Sequence, residues 1–425
     1  MTEISALAPE ELERLRADLQ KRYAAFCKRG LSLDITRGKP SPEQLDLSQG
    51  LLAALGEDKI YAENGADCRN YGGLDGLPEA RELFAAYMGV EPEEIVVGGN
   101  SSLNLMYDTF MRALVHGVDQ DCGPWSRQPA LKFLCPSPGY DRHFSICEHL
   151  GIEMIPVPMT EDGPDMDVVE SLAAKDEAVK GIWCVPVYSN PTGAVYADAT
   201  VLRLARMTTR AADFRIFYDN AYAVHHFGEG PPRIKNLLEA CKEAGHPERA
   251  FLFGSTSKIT FPGAGLAMMA GSTTNMAWVR DNMFFQTIGP DKLNQLRHVR
   301  FFGDLDGIYR HMEKHAAIVR TRFDAVQEIL ERELAGKGVA TWTRPKGGYF
   351  VSFDAPDGCA RTVVRMASEA GVKLTPAGST YPLKRDPRDN NIRIAPTFAG
   401  VDDVRTAVEV LAVCTQIAAI DQLTT

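Results

Sequence analysis

The chain has 425 residues, of which 45% are hydrophobic and 24% charged, and its formal net charge is −10 at pH 7. This length and composition are typical of a globular protein with two or three domains. The acidic charge argues against nucleic acid as the main partner. A charged N-terminus without an apolar signal core, and nine scattered cysteines without a Cys-x-x-Cys pair, predict a cytoplasmic protein with reduced thiols and no membrane partner.

The first two thirds of the chain alternate between strand-like and helix-like segments. A charged helix is predicted over residues 10–28, and short apolar runs then alternate with helical patterns, which predicts parallel strands covered by helices on both faces. The predicted strands are 95–97, 132–135, 154–157, 182–187, 216–218, 251–253 and 266–269. The predicted helices between them include 103–114, 144–150 and 199–211. An exposed loop is predicted at 119–129.

After Gly303 the pattern changes, which indicates a second domain. A long amphipathic helix is predicted over residues 306–334. The segments that follow it read as a strand, a helix, a strand and a helix, at 349–353, 361–370, 391–394 and 401–417.

Two charged residues follow predicted strands. Lys258 closes the small, hydroxyl-rich string Gly254-Ser255-Thr256-Ser257 and can form a Schiff base with an aldehyde cofactor. Asp219 closes the apolar run 215–218 and can pair with the protonated ring nitrogen of pyridoxal phosphate (PLP). Alone, each has an ordinary explanation as a surface lysine or a turn-forming aspartate. Together they point to PLP chemistry.

Short motifs occur along the chain in a fixed order. They are Thr36-Arg37-Gly38-Lys39-Pro40, Asn70-Tyr71-Gly72-Gly73, Gly98-Gly99-Asn100-Ser101-Ser102, Pro138-Gly139-Tyr140, Asn190-Pro191-Thr192-Gly193, Tyr218-Asp219-Asn220-Ala221-Tyr222, Ser255-Thr256-Ser257-Lys258 and Arg393-Ile394-Ala395-Pro396. In this order the chain resembles a fold-type I PLP-dependent aminotransferase, and is most similar to the bacterial aspartate aminotransferase subgroup that has the first motif. The resemblance extends from about Leu33 to about Phe398.

The resemblance implies an α/β fold. A large domain, 48–305, would hold a mostly parallel seven-stranded sheet between helices. A small α+β domain would be built from both termini, 1–47 and 306–425. The resemblance also implies a homodimer with shared active sites.

The resemblance assigns the residues around the cofactor ring. Lys258 would form the Schiff base and then move the substrate proton, and Asp219 would hold the ring nitrogen. Tyr222 and Asn190 would donate hydrogen bonds to the phenolic oxygen of the ring, and Tyr140 would stack on it. The two tyrosines could instead be ordinary packing aromatics.

The phosphate is expected at Asn100-Ser101-Ser102, which follows a strand and opens a helix whose free N–H groups favour an anion. An ordinary helix N-cap would have the same sequence. Ser255 and Ser257 would add hydroxyl donors, and Tyr71 would reach the phosphate of the neighbouring subunit. Many relatives place an arginine about eight residues after the lysine, whereas this chain has Leu266 there.

Arg393 is the expected clamp for the substrate α-carboxylate, because a guanidinium grips a carboxylate with two parallel hydrogen bonds. A structural salt bridge is the alternative. Asn190 and Gly38 would also lie at the substrate. A dicarboxylate needs a second cation, for which Arg37 is favoured by its neighbour Gly38. The other candidates are Lys39, Arg142, Arg297, Lys384, Arg385 and Arg388.

The predicted reaction is ping-pong amino transfer from aspartate to 2-oxoglutarate. An aminotransferase with another donor, such as alanine, 2-aminoadipate or an aromatic amino acid, is the alternative, and a PLP-binding sensor domain is a further one. No metal site is expected. The pair His225-His226 has adjacent side chains that point in different directions, without an acidic or cysteine residue at ligand spacing.

Overall fold

A computed structural model describes residues 3–56, 60–118, 121–228, 230 and 232–424, so residues 119 and 120 of the predicted loop lie outside the described residues. The α-helices in this part of the chain are α1 (Pro9–Lys28), α2 (Pro42–Asp46), α3 (Pro78–Met88), α4 (Ser102–His116), α5 (Asp141–His149), α6 (Met166–Lys175), α7 (Asp198–Arg206), α8 (Leu237–Glu243), α9 (Thr273–Met283), α10 (Lys292–Phe302), α11 (Leu305–Leu334), α12 (Ala360–Glu369) and α13 (Val401–Leu423).

The strands are short and most belong to one sheet. They are β1 (Leu33–Asp34), β2 (Ile95–Val97), β3 (Lys132–Ser137), β4 (Glu153–Thr160), β5 (Gly163–Pro164), β6 (Val179–Cys184), β7 (Arg215–Asp219), β8 (Ala250–Ser255), β9 (Ala267–Ala270), β10 (Thr341–Trp342), β11 (Val351–Asp354), β12 (Val372–Lys373) and β13 (Asn391–Ile394). The large sheet has the order β2-β9-β8-β7-β6-β3-β4-β5. Strands β8, β7, β6, β3 and β4 pair in parallel, and β9 and β5 pair antiparallel to their neighbours.

Successive residues of each central strand contribute to two different cores. In β7, Ile216 and Tyr218 belong to one hydrophobic cluster and Phe217 to another. Side chains alternate across a sheet, so both faces of this sheet are covered. This explains why the strands appear in the sequence as continuous apolar runs.

A separate core lies around a three-stranded antiparallel sheet of order β10-β11-β13. Helices α1, α11, α12 and α13 supply most of its remaining side chains. Helix α13 is the one helix in the described residues that is long and apolar enough to cross a membrane, but 72% of its apolar window is buried inside the protein. Packing in this core therefore accounts for its apolar character.

The predicted α/β fold with a mostly parallel sheet is confirmed. The sheet also includes β5, a two-residue strand too short to show a pattern in the sequence. The predicted helix 199–211 ends earlier, at Arg206. The buried Arg249 guanidinium donates to the carbonyls of Ala205 and Met207 at this end, at 2.8 Å each. The division of the chain at residues 47/48 and 305/306 stays a prediction.

Candidate active site

The expected site residues lie at one edge of the large sheet. In parallel strands the carboxyl ends meet at the same edge, where α/β proteins bind their ligands. Asp219 is the last residue of β7 and Ser255 the last of β8, and Tyr140 follows β3 after the two residues Pro138 and Gly139. The edge therefore brings together residues that are more than 100 positions apart in the chain.

Lys258 lies in the turn after β8 and is half-buried. Its Nζ is 4.9 Å from the centroid of the Tyr222 ring, within the range of a cation–π contact. Burial lowers the pKa of the Lys258 ammonium, and the negative charge of Asp219 partly opposes this shift. A lysine with a lowered pKa spends more time as a neutral amine, which is the form that acts as a nucleophile or base.

Asp219 is buried and only half of its carboxylate is hydrogen-bonded. One oxygen, Oδ2, lies 3.1 Å from His143 Nε2, and the imidazole stacks on Trp183 with ring centroids 4.2 Å apart. The other oxygen, Oδ1, has no hydrogen-bond partner in the described part of the chain. A buried unpaired carboxylate oxygen is costly, so it fits the protonated ring nitrogen of PLP as its partner.

Tyr222 and Tyr140 border the same space. Tyr222 is buried, and burial raises the pKa of its phenol well above the ordinary value, so the hydroxyl keeps its proton and stays a donor. The Tyr140 ring is half-buried and meets the His143 ring edge to face, with centroids 4.9 Å apart. Tyr140 and Asp219 are thus both in contact with His143.

The turn before α4 meets the Lys258 turn. Ser257 Oγ lies 3.5 Å from the Asn100 carbonyl oxygen, and Ser255 Oγ lies 3.1 Å from Ser257 Oγ. Ser101 occupies the N-cap position of α4, yet its side chain makes no capping hydrogen bond. An anion is therefore a fitting partner for the N–H groups of the first helical turn.

The segment around Leu266, where many relatives have an arginine, is bound by side chains of helix α10. Leu266 is buried in the core. Arg297 Nη2 donates to the Ala264 carbonyl at 3.3 Å, and Asn294 Nδ2 donates to the Gly265 carbonyl at 2.8 Å. Arg297, one of the candidate second anchors, is thus engaged with the loop that follows the Lys258 turn.

Arg393 reaches the same edge from β13. Its Nη1 donates to Asp141 Oδ1 at 2.9 Å and lies 3.4 Å from Asn190 Oδ1, and its Cζ lies 5.0 Å from the Phe350 ring centroid. Its Nε is buried and has no partner among the described residues. Gly38 packs on the same ring, since a Cβ there would lie 2.7 Å from Phe350 Cε1.

Several expected residues are exposed in the single chain. Tyr71 is 85% exposed, and its loop is fixed by Lys292 Nζ, which donates to the carbonyls of Asn70 and Gly72 at 2.6 and 2.7 Å. Arg37 is exposed beside Gly38. The other candidate cations are exposed as well, namely Lys39, which lies 3.8 Å from the Phe398 ring centroid, Arg142, Lys384, Arg385 and Arg388, which pairs with Asp357 at 2.9 Å.

The sequence did not indicate several residues at this edge. His143 and Asp141 follow Tyr140 closely, and that proximity was the available signal for them. Phe350 and Tyr349 follow Gly347-Gly348, a weaker signal for a tight turn. In the described ranges, no group of three or more His, Cys, Asp or Glu residues could hold a metal ion.

Comparison with known proteins identifies the family. A family model described as aspartate amino-transferase matches residues 7–425. The chain belongs to this aminotransferase family. It is 50% identical to a putative aminotransferase of Mycolicibacterium smegmatis, over 98% of this chain and 96% of that protein. It is 45% identical to an aspartate aminotransferase of Corynebacterium glutamicum, over 96% of this chain and 95% of that protein.

A solved structure supports the same conclusion. The crystal structure of an aspartate transaminase from Corynebacterium glutamicum superimposes with a TM-score of 0.97 at 44% identity and covers 99% of both chains. The protein is therefore an aminotransferase, an enzyme that acts on small-molecule amino acids and oxo acids.

Proposed function

We propose that this aminotransferase binds PLP and transfers the amino group of aspartate to 2-oxoglutarate in two half-reactions at one site. The observation that carries the cofactor proposal is the buried, unpaired Oδ1 of Asp219 at the edge that also holds Lys258. The similarity to relatives named aspartate aminotransferase supports the donor.

When bound, PLP supplies an aldehyde for attachment and a ring that takes up the electrons released at the substrate Cα. Asp219 is proposed to hold the ring nitrogen, with His143 fixing the other carboxylate oxygen. Tyr140 offers a ring face, and the protonated hydroxyl of Tyr222 donates to the ring oxygen together with the Asn190 amide. Lys258 would hold the cofactor covalently through its amine.

The phosphate is proposed to lie at the start of α4. Asn100, Ser101 and Ser102 would present N–H and hydroxyl donors there, and Ser255 and Ser257 would add hydroxyls. The positive end of the helix dipole favours the phosphate charge without an arginine at position 266. The contact between Ser257 and Asn100 supports this placement, because it brings both groups of donors together.

Tyr71 is proposed to act on the phosphate of a second subunit in a homodimer. Its loop adjoins an exposed apolar segment, since a Cβ on Gly289 would lie 2.6 Å from the Gly72 carbonyl oxygen. In that segment Phe284, Phe285 and Ile288 are 67%, 88% and 64% exposed. Such a cluster beside an exposed tyrosine is typical of a protein interface. Static light scattering of the purified protein would test the dimer.

Arg393, Asn190 and Lys258 are proposed to act on the substrate. Arg393 grips the α-carboxylate and Asn190 orients it, while the Lys258 amine takes up the proton released at Cα and later returns it. Arg37 stays the favoured second anchor, because its neighbour Gly38 packs on the ring that also contacts Arg393. Arg37→Ala should slow the half-reaction with aspartate and leave PLP loading unchanged, and Lys39→Ala tests the rival candidate two residues away.

The test is a half-reaction assay on the purified, PLP-loaded protein. The visible absorbance of the bound cofactor is followed while single amino acids are added. Loss of the band with aspartate and glutamate, but not with alanine or aromatic amino acids, supports the proposal. Loss only with another donor, such as 2-aminoadipate, would keep the chemistry and change the substrate. A protein that takes up no PLP would refute the cofactor proposal. A cytoplasmic location is part of the same proposal.

A further inference from the structure

The main-chain carbonyl of Lys258 has two side-chain donors. His225 Nε2 lies 3.3 Å from this oxygen, and Tyr349 Oη donates to it at 3.4 Å. Both side chains are buried, at 4% and 1% exposure. A carbonyl oxygen has two lone pairs, so this one can accept both hydrogen bonds.

The same two rings support the side chain of the lysine. His225 and Tyr349 meet edge to face, with ring centroids 5.5 Å apart. Both pack on Tyr222, at 5.6 and 5.8 Å, and the Tyr222 ring lies 4.9 Å from Lys258 Nζ. Three mutually packed rings thus contact Lys258 at its main chain and at its amine.

His225 is suited to a fixed donor role. Burial, and next the positive charge of Lys258, lower the pKa of His225 to about 3, so the ring is neutral at working pH. A neutral imidazole has one N–H, and a carbonyl can only accept, so the proton belongs on Nε2. This leaves Nδ1 as a buried acceptor, which has no partner in the part of the chain described.

The main chain also connects the two donors. Gly348 N donates to the His225 carbonyl at 2.7 Å, and Phe227 N donates to the Lys346 carbonyl at 2.8 Å. Residues 225–227 therefore pair with the segment that leads into Tyr349. The Tyr349 hydroxyl is oriented further by Gln44 Nε2, which donates to it at 3.0 Å, so its own proton is free to point to Lys258.

We propose that His225 and Tyr349 are positioning residues that hold the main chain of Lys258 while its amine moves between attachment and proton transfer. The inference rests on the proposed role of Lys258. A fixed main chain confines the motion to the side chain, and a displacement of the amine of about 1 Å can cost a factor of about 100 in rate. His225, which with His226 could suggest a metal site, is thus proposed to position Lys258.

The test uses full-length His225→Phe, Tyr349→Phe and the double variant. Phenylalanine keeps the ring packing and removes the donor in each case. His226→Phe is the matched control, since it changes the adjacent imidazole, whose described contacts do not include Lys258. Protein freed of cofactor is mixed with PLP, whose aldehyde oxygen leaves as water when Lys258 Nζ bonds to its carbon. Hydride trapping and peptide mass spectrometry then give the attachment rate at Lys258.

Each single variant should slow attachment about tenfold, and the double variant should slow it by more than the product of the two, because its carbonyl has lost both donors. With Cα-deuterated aspartate the variants should show a larger isotope effect on kcat, with KM nearly unchanged. His225→Gln, which restores an N–H donor, should recover part of the rate. The control should stay within about twofold.

Unchanged attachment rates and isotope effects in both single variants would overturn the inference, even if the double variant does not fold. If His226→Phe slowed attachment to the same extent, the inference would also be overturned. The effect would then come from a general loss of packing around residues 225 and 226, not from the lost donor to Lys258. Wild-type protein in which hydride fixes no PLP at Lys258 would instead refute the proposed function. The two failures are therefore distinguishable.

Discussion

The proposed carboxylate clamp already holds a carboxylate of the protein itself. Asp141 Oδ1 accepts from Arg393 Nη1 at 2.9 Å, so a substrate α-carboxylate has to share the guanidinium with it or displace it. We therefore predict that Asp141→Asn, which keeps an acceptor oxygen and removes the charge, binds amino acid substrates more tightly than the wild type. The opposite sign would be expected if Asp141 served mainly to orient Arg393.

The magnitude follows from the exposure of the pair. The Asp141 side chain is 35% exposed and that of Arg393 8%. A hydrogen bond to a charged group contributes about 1.5–3 kcal/mol of stability when it is buried from solvent. An ion pair exposed to solvent contributes about 0–1 kcal/mol. A value of about 1 kcal/mol for this intermediate case corresponds to a fall of about fivefold in the dissociation constant.

The assay is binding of an aspartate analogue methylated at Cα, which has no proton to lose, so binding is separated from chemistry. The analogue is titrated into PLP-loaded wild type, Asp141→Asn and Arg393→Lys. Arg393→Lys should bind it more weakly, because a lysine cannot grip a carboxylate with two parallel bonds. Equal or weaker binding by Asp141→Asn, with its thermal stability intact, would refute the competition argument.

Three further predictions concern Asp219, Gly38 and stability in acid. Asp219→Asn should still attach PLP but lower the half-reaction rate by about 100-fold or more, as seen in single-turnover absorbance, since the buried charge is lost. Gly38→Ala should raise KM and lower the free energy of unfolding by about 1–3 kcal/mol, because its Cβ meets the Phe350 ring, and Gly56→Ala is a control in open space. The pKa values of His225 and His315 are lowered to about 3 by burial, so below about pH 6.5 these side chains take up protons only on unfolding. Stability should therefore fall as pH decreases from 6.5 to 4, and His225→Phe should reduce the slope of melting temperature against pH. An unchanged slope would contradict this assignment.

The sequence alone predicted the strands of the large sheet and the charged residues at two of their ends. The seven predicted strands coincide with β2, β3, β4, β6, β7, β8 and β9 to within a few residues. Strands that are buried on both faces appear in the sequence as continuous apolar runs, and their ends are marked by polar or small residues. Both signals depend only on residues that are close together in the chain. Lys258 and Asp219 could be placed at strand ends for this reason.

Only the tertiary structure decided which polar groups pair. Arg393 and Asp141 are 252 positions apart, and Tyr349 lies 91 positions from the lysine whose carbonyl it holds. No sequence periodicity links residues this far apart. The residue type of His225 also does not reveal whether the side chain binds a metal, faces water or donates to a buried carbonyl. The sequence determines which segments become strands and helices, because that depends on neighbours within a few residues. The partner of a buried charge depends on how those segments pack, because long-range contacts form only when the whole chain is folded.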